Sequence, residues 1–596
     1  MAIRRRGAKP RRFADNPLLE LALHSWRSRF VNAAFLALFL LLLGKAFYLQ
    51  VIDNDFLQTK GDSRYRRDLK VPASRGKITD RNGELLAGSV LAKSVWAIPA
   101  DARLEPRQTE ALAKLLGMEP RALGRKLAAN GNFVYLQRQL DPETAGKIAE
   151  LQLPGIHQET EFRRFYPAGD MAAHVVGSTN VDHNGRAGME LVLQNELTGE
   201  PGHRSVIRDR HGRIVEDIGE MRPPQDGEDI RLALDSRIQY LAFSAVRDAA
   251  REHRAQAASA VVIDAGTGEI LALVNWPSYD PNKRSGLSGT ALRNRAVTDS
   301  YEPGSTLKPF TVALALEKGK LRFDSIIDCA PGRLTIGNAT ISDIHSYGAL
   351  TVAQVIQKSS NVGVAKIAAQ LSAREMWEMF NLLGFGSVSA LGFPGESGGR
   401  LRAWKNWRPI EQATISYGHG ISVSLLQLAH AYTVFARDGD LVPLSLVARD
   451  EPPPVGIQVF SPQTAREIRA MLEMVVHPGG TATRARVPGY RVAGKSGTPY
   501  KLEGGVYTRK YMPSFVGIFP VSAPRYVVAV MVDEPSAGQH YGGAVAAPVF
   551  SRIAADVLRI RGVPPDAANL QVAGLDPDAL NMNNPGAHGS SGGAQP

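Results

Sequence analysis

From Phe30 to Ile52 the chain is almost free of polar side chains, running Phe30-Val-Asn-Ala-Ala-Phe-Leu-Ala-Leu-Phe-Leu-Leu-Leu-Leu-Gly44 and then Lys45-Ala-Phe-Tyr-Leu-Gln-Val-Ile52. A helix needs roughly 20 apolar residues to cross a bilayer, so residues 30–52 predict one transmembrane helix in which Lys45 snorkels outward or meets a partner. Arg4, Arg5, Arg6, Lys9, Arg11, Arg12, Arg27 and Arg29 precede it. The positive-inside rule then places residues 1–29 in the cytoplasm as a basic tail and the rest of the chain beyond the inner membrane. A cleaved signal peptide is the competing reading. The long basic leader and the lack of an Ala-x-Ala step after the apolar run disfavour it.

Beyond the span the pattern shortens. Residues 53–225 read as mixed short strands and helices with turn signals such as Arg81-Asn-Gly83 and Asp182-His-Asn-Gly185, and they hold no complete catalytic constellation. Asp80, Arg81, Arg164 and Glu190 there read as an internal ion-pair network rather than an acid–base cluster. The Pro-rich, acidic stretch Arg222–Asp229 marks a boundary, and Asp235–Glu252 then reads as a capped amphipathic helix. Ser259–Asp264 and Ile270–Asn275, joined by Ala-Gly-Thr-Gly-Glu269, predict a hairpin with one buried face. Tyr490–Thr498, Ser514–Phe519 and Tyr526–Asp533 form a second strand group, followed by a helix over about 544–561. Five strands around helical segments predict an α+β domain over 226–562. Residues 563–596, rich in Ala, Gly, Asn, Pro and Ser, predict a disordered tail.

Composition changes this picture little. A chain of 596 residues with 44% hydrophobic and 21% charged residues is too long for one domain and has material for a large core. A net charge of +12 suits nucleic acid, anionic lipid or cell-wall polymer alike. No zinc-finger, helix-turn-helix or RNA-binding pattern accompanies it, so nucleic acid is not an expected partner. The single Cys329 excludes an internal disulfide and reads as a packed core thiol.

Three short strings carry the chemistry: Ser305-Thr-Leu-Lys308, Ser359-Ser360-Asn361 and Lys495-Ser496-Gly497-Thr498. Each is weak alone, since Ser74-Arg-Gly-Lys77 and Ser178-Thr-Asn180 fit the first two patterns equally well. Their order and local context make the set specific. Glu302-Pro303-Gly304 is a turn signal, and the apolar stretch from Thr306 to Glu317 reads as a helix with Pro309 in its first turn. Ser305 then sits at a helix start, with Lys308 one turn away on the same face. A lysine can take a hydroxyl's proton only if burial or a neighbouring cation depresses its pKa, and Lys495 is the candidate cation. Ser359 and Asn361 fall where a helix beginning near Thr351 breaks into a loop, and Ser359 is a candidate proton relay to a leaving amine. Tyr490–Pro499 has an edge-strand pattern in which Gly497 admits a close backbone approach and Pro499 ends the ladder.

These elements are those of penicillin-binding proteins and serine β-lactamases, and the chain resembles the class B penicillin-binding proteins. Ser496 stands in place of the commoner Thr of K-T-G. The resemblance extends through Arg75–Ala87, Arg164-Phe-Tyr-Pro167, Gly188-Met-Glu190, Asn294-Arg-Ala296 and Tyr417-Gly-His-Gly420. From about residue 20 to 562 the chain looks like a septal peptidoglycan transpeptidase of the FtsI type. The resemblance implies a transpeptidase domain with an antiparallel sheet and helices on both sides, and a non-catalytic, dimerisation-type pedestal over 53–225 that docks partners. It implies two-step acyl transfer: Ser305, deprotonated by Lys308, attacks the D-Ala-D-Ala carbonyl of a stem peptide, and an acceptor amine resolves the acyl-enzyme. In the family the oxyanion hole is formed by backbone N–H groups, here those of Ser305 and Thr498. Lys495, Ser496 and Thr498 bind the carboxylate of substrate or β-lactam, and Tyr541 stands where members place an aromatic wall.

The resemblance further implies a SEDS-type glycosyltransferase and other divisome membrane proteins as partners, the division septum as the location, and no cofactor or metal. Lys358-Ser-Ser-Asn-Val-Gly363 and K-S-G-T look more like division than elongation enzymes. A class A β-lactamase would add a Glu-x-x-Leu-Asn element, and between 362 and 494 no Glu has Asn four residues on. A membrane β-lactam sensor needs a cytoplasmic signalling module that the residues before the span are too few to form. A bifunctional class A enzyme needs a glycosyltransferase domain whose motifs the pedestal region lacks.

Overall fold

The computed structural model describes residues 25–55, 66–128, 131, 133–208, 214–217, 222–283, 288–389 and 391–567. The basic residues before Ser25 and the tail beyond residue 567 lie outside them. The described part divides into two compact units, one containing Val71 and the residues before it with Pro201–Pro224, the other containing Pro72–Glu200 and the residues from Gln225 onward.

In the first unit, a helix over Ser25–Phe47 continues through a wider π turn at Tyr48–Ile52. It is the only described helix long and apolar enough to cross a membrane, and none of its side chains is buried by protein. It starts earlier than the expected 30–52 because Ser25–Arg29, though polar, continue the same backbone hydrogen bonding. Arg66–Val71 pairs antiparallel with Gly202–Arg208, which pairs in turn with Ile214–Asp217.

In the second unit, the long strand Leu85–Ala97 lies between Val134–Leu140 and Ile156–Phe165. Its end packs a small core of Val95, Ala97, Leu112, Leu116, Leu136 and Ile148. At its start Glu190 is fully buried between Arg75 Nε (2.6 Å) and Arg164 Nε (2.7 Å). The expected ion network therefore holds for Arg164 and Glu190 but not for their companions. Arg81 pairs instead with Glu269 at 3.4 Å, and the buried Asp80 accepts from the backbone N–H groups of Asn82, Glu84 and Ser236. The chain's path gives Asp80 the work of closing a turn and holding the first N–H of the next helix, while Arg75 joins Arg164 against Glu190.

That next helix is α1, Ser236–Glu252, capped by Asp235. The hairpin follows as β1 (Ala257–Asp264) and β2 (Glu269–Trp276). Then come α2 (Lys308–Glu317), α3 (Val352–Lys358), α4 (Asn361–Ala368), α5 (Leu425–Ala436), β3 (Ala493–Gly497), β4 (Ser514–Phe519), β5 (Tyr526–Asp533) and α6 (Gly542–Ile560). The five strands form one antiparallel sheet in the order β2-β1-β5-β4-β3, with Lys495 opposite Val516. Every residue of β1, β4 and β5 is buried, so the hairpin has two covered faces rather than the one expected. Helices α1 and α6, in mutual contact, cover one face, and the apolar α5 packs on the other. Burial on both sides explains why these strands read as continuous apolar runs without alternation.

Candidate active site

Ser305 lies in a single 3₁₀ turn, Gly304–Leu307, that leads into α2. An α-helix from Thr306 was expected. The tighter turn replaces its start and nearly eclipses residues three apart within it. Several contacts pin the turn. Gly304 has φ +56 and its N–H donates to Gly418 O (3.2 Å), Thr306 Oγ1 donates to Pro303 O (2.7 Å), and Tyr432 OH donates to Thr306 O (2.6 Å). Residues Lys308–Ala315 of α2 are all buried, and Phe310 packs on Phe385, Tyr432 and Phe435.

Ser359 is the first of the two residues, Ser359 and Ser360, between α3 and α4. It adopts the left-handed conformation (φ +62), which costs a non-glycine residue about 1–2 kcal/mol. The expected loop is thus only a kink, and Asn361 is the first residue of α4. The kink aims the Ser359 hydroxyl between two lysines, 3.1 Å from Lys308 Nζ and 3.0 Å from Lys495 Nζ. Lys308 also donates to Ser359 O, and Lys495 to Ser496 O (3.2 Å). Both lysines are fully buried. Burial first, and the Lys495 ammonium second, hold the Lys308 amine well below its ordinary value, against a smaller opposing pull from Asp343. Burial brings Lys495 down to about 7.

Gly497 ends β3 where no side chain fits, since a Cβ would sit 2.7 Å from Ser514 Oγ and 2.9 Å from Pro303 O. Ser496 Oγ lies 3.0 Å from Thr481 Oγ1, and Thr498 Oγ1 accepts from Gly542 N–H (2.9 Å), tying the strand end to the start of α6. Tyr541 is half exposed just before α6, in a row of rings running Tyr500, Tyr511, His540, Tyr541 with centroid spacings of 4.9, 4.2 and 4.4 Å.

These parts meet at one cleft of about 720 Å³ lined by Ser305, Ser359, Asn361, Ser496, Thr498 and Tyr541 among others. Lys308, Lys495 and Gly497 are buried behind its wall. Neither Ser74, whose N–H donates to Asp226, nor Ser178 lines it. A serine hydroxyl in a cleft backed by a buried lysine whose pKa is pulled well down, with a second buried lysine and N–H groups at a strand end nearby, can carry out acyl transfer through a serine ester. Among the described residues no group of three or more His, Cys, Asp or Glu is placed to hold a metal ion.

Asp343 lies outside the three motifs. Its carboxylate accepts from the N–H groups of Asn361 and Val362 (3.0 Å) and from Ser360 Oγ (2.5 Å), anchoring the start of α4 and with it the kink at Ser359. A lone Asp in Ile-Ser-Asp-Ile-His gives no sequence signal for this role. Only the fold brings it to the helix terminus, where a negative charge is favoured.

The model of the penicillin binding protein transpeptidase domain matches residues 258–555, and that of the penicillin-binding protein dimerisation domain matches residues 70–232. The chain is 44% identical over 545 residues to the probable peptidoglycan D,D-transpeptidase PenA of Neisseria gonorrhoeae, covering 90% of this chain and 93% of that protein. It is 41% identical over 551 residues to the peptidoglycan D,D-transpeptidase FtsI of Escherichia coli K12, covering 91% and 93%. The chain belongs to the class B penicillin-binding proteins. As such it is a peptidoglycan D,D-transpeptidase. Among solved structures, the transpeptidase domain of Burkholderia pseudomallei penicillin-binding protein 3 is 50% identical with a TM-score of 0.53, covering 56% of this chain and 97% of that one. A peptidoglycan synthetase from Bifidobacterium adolescentis, at 26% identity and a TM-score of 0.67, covers 84% and 98%. The penicillin-binding transpeptidase fold, preceded by an apolar helix and a pedestal, is thus the fold class of this chain.

Proposed function

We propose that Ser305 is the acylated nucleophile of this penicillin-binding protein and that Lys308 is its base. The carrying observation is the Ser359 hydroxyl held 3.1 Å from Lys308 Nζ and 3.0 Å from Lys495 Nζ beside the cleft that Ser305 lines. A buried amine next to a second amine cannot keep both charges, so Lys308 is free to take the Ser305 proton. Ser305 Oγ attacks the penultimate D-Ala carbonyl, and its proton passes from Lys308 through Ser359 to the leaving D-Ala nitrogen. The N–H groups of Ser305 and Thr498 stabilise the oxyanion, one such donor being worth about 3 kcal/mol. Asn361 orients the peptide, Lys495 with Ser496 and Thr498 receives the terminal carboxylate, and Tyr541 walls the cleft. An arriving carboxylate recharges Lys495, whose amine is poised near 7.

On this reading the chain is a cytoplasmic tail (1–29), a span (30–52), a pedestal (53–225), a periplasmic transpeptidase domain (226–562) and a tail (563–596). It works at the division septum beside a SEDS-type glycosyltransferase, in keeping with its 41% identity to FtsI of Escherichia coli. Lys45, inside the span and 4.8 Å from the Tyr48 ring, is a polar foothold for a membrane partner. Labelled penicillin tests the site. Intact mass should show one adduct that is lost in Ser305→Ala and kept in Ser74→Ala, and an adduct persisting in Ser305→Ala refutes the assignment. Depletion should give smooth filaments. Rounded cells would place the enzyme in elongation.

A further inference from the structure

The acyl-enzyme needs a second substrate, an amine that enters as an ammonium ion, and the motifs described so far provide no group to receive it. Next to Ser305 lies a cluster outside those motifs. Gly418 packs so tightly on the nucleophile's turn that a Cβ would meet Gly304 O at 2.2 Å, which leaves the following His419 in the wall of the cleft. The His419 ring is bordered by Tyr417 (centroids 5.2 Å apart) and Tyr507 (6.0 Å). Behind it is Glu302, whose Oε2 lies 3.9 Å from His419 Nδ1. Glu302 is itself held by Gly420 N–H (2.8 Å) and by Tyr507 OH (2.9 Å), and only 8% of its side chain is exposed. Aromatic rings around a shielded carboxylate favour a cation that has shed its water, and that is the environment an ammonium group seeks.

We propose that His419, with Tyr417 and Tyr507 beside it and Glu302 behind it, receives the ammonium group of the acceptor strand. The proposal rests on Ser305 being the acylated residue. Burial lowers the pKa of His419, and the nearby Lys308 lowers it further against the pull of Glu302, so the ring is neutral and has a nitrogen free to accept a hydrogen bond. The acceptor nitrogen arrives with three hydrogens and ends with one. One proton leaves to bulk water, carrying the positive charge with it, while His419 accepts a hydrogen bond from the amine that remains. The N–C bond to the acyl carbon then forms, the C–Oγ bond to Ser305 breaks, and the second proton travels through Lys308 to Ser305 Oγ. Glu302 touches no substrate in this scheme and is a positioning residue.

The test uses the full-length protein in detergent, benzylpenicillin for the first half-reaction, and a thioester donor partitioned between water and D-alanine for the second. His419→Phe should lower the ratio of aminolysis to hydrolysis of the acyl-enzyme by roughly tenfold, the worth of a desolvated cation contact. Glu302→Gln should raise the KM for D-alanine with kcat unchanged, and His419→Gln, which keeps an acceptor, should recover part of the ratio. An unchanged partition ratio in His419→Phe overturns the proposal. So does an equal loss of acylation and aminolysis in His419→Phe and His419→Gln with unaltered melting, because His419 then shapes the site as a whole. Failure of the wild-type protein to acylate at Ser305 would overturn the underlying assignment instead.

Discussion

Replacing Lys495 by Met tests the electrostatics on which the site depends. The Lys495 amine is fully buried, with a pKa of about 7 in the native protein against the ordinary 10.5 of an unfolded chain. The native state therefore binds this proton less tightly than the unfolded state does. Between pH 7 and 10.5 the unfolded chain carries a proton that the native protein lacks, so stability rises with pH across that window and levels off above it. One pKa unit corresponds to about 1.36 kcal/mol, so the wild type should gain about 4 kcal/mol between pH 7 and 10 relative to Lys495→Met, which has no proton to lose. Lys308 adds in the same direction. Its pKa is depressed partly by Lys495, and it relaxes toward the ordinary value once Lys495 is gone. Other titrating pairs, such as Lys501 with Asp533 and Glu534, are common to both proteins and cancel in the difference. Denaturant unfolding of both proteins at pH 7, 8, 9 and 10 measures that difference directly. A difference that stays flat with pH would show that Lys495 keeps its charge in the folded protein at an ordinary pKa. Burial would then fail as the main cause of the depressed Lys308 pKa, leaving only repulsion from the Lys495 ammonium.

Lys308→Arg and Lys308→Met should each slow penicillin acylation by roughly 10²–10⁴-fold with melting little changed, because an arginine cannot give up its proton. Near-normal acylation in Lys308→Arg would make the role one of charge. Asp343→Asn keeps the shape of the cap on α4 but not its charge, and should cost about 1 kcal/mol of stability and slow acylation about tenfold. Unaltered acylation would detach Asp343 from the site. The full chain should stay with membranes through carbonate washing, while a form starting at Asp53 should be released and still be acylated. A mature N-terminus near Gln50 would show processing instead.

The membrane helix, the strands of the central sheet and the helix with Lys308 near its start were all legible in the sequence. Each depends on local properties: an unbroken apolar run, apolar strands between turn residues, and Pro309 after a Gly turn. The three motifs were legible for the same reason, since each is contiguous and their order limits coincidence. Ser305 and Lys308 sit on one turn by covalent connectivity alone. What the local pattern could not contain was anything made by approach between distant segments. Lys308 and Lys495 become neighbours only when β3 closes the edge of the sheet against α2, and Ser359 comes between them only through a left-handed kink that no propensity favours for serine. Asp343 was unreadable because its partners are the N–H groups of a helix start beyond it in the chain. Asp80 and Arg81 were misassigned because charge alone does not say which groups of a pedestal meet, whereas burial matched Glu190 to Arg75 and Arg164. The sequence by itself determined which groups are available and which of them are held close by the chain. The tertiary structure decided which of them lose their water, and therefore which amines are pulled below their ordinary pKa, because desolvation belongs to the packed interior and not to any stretch of chain.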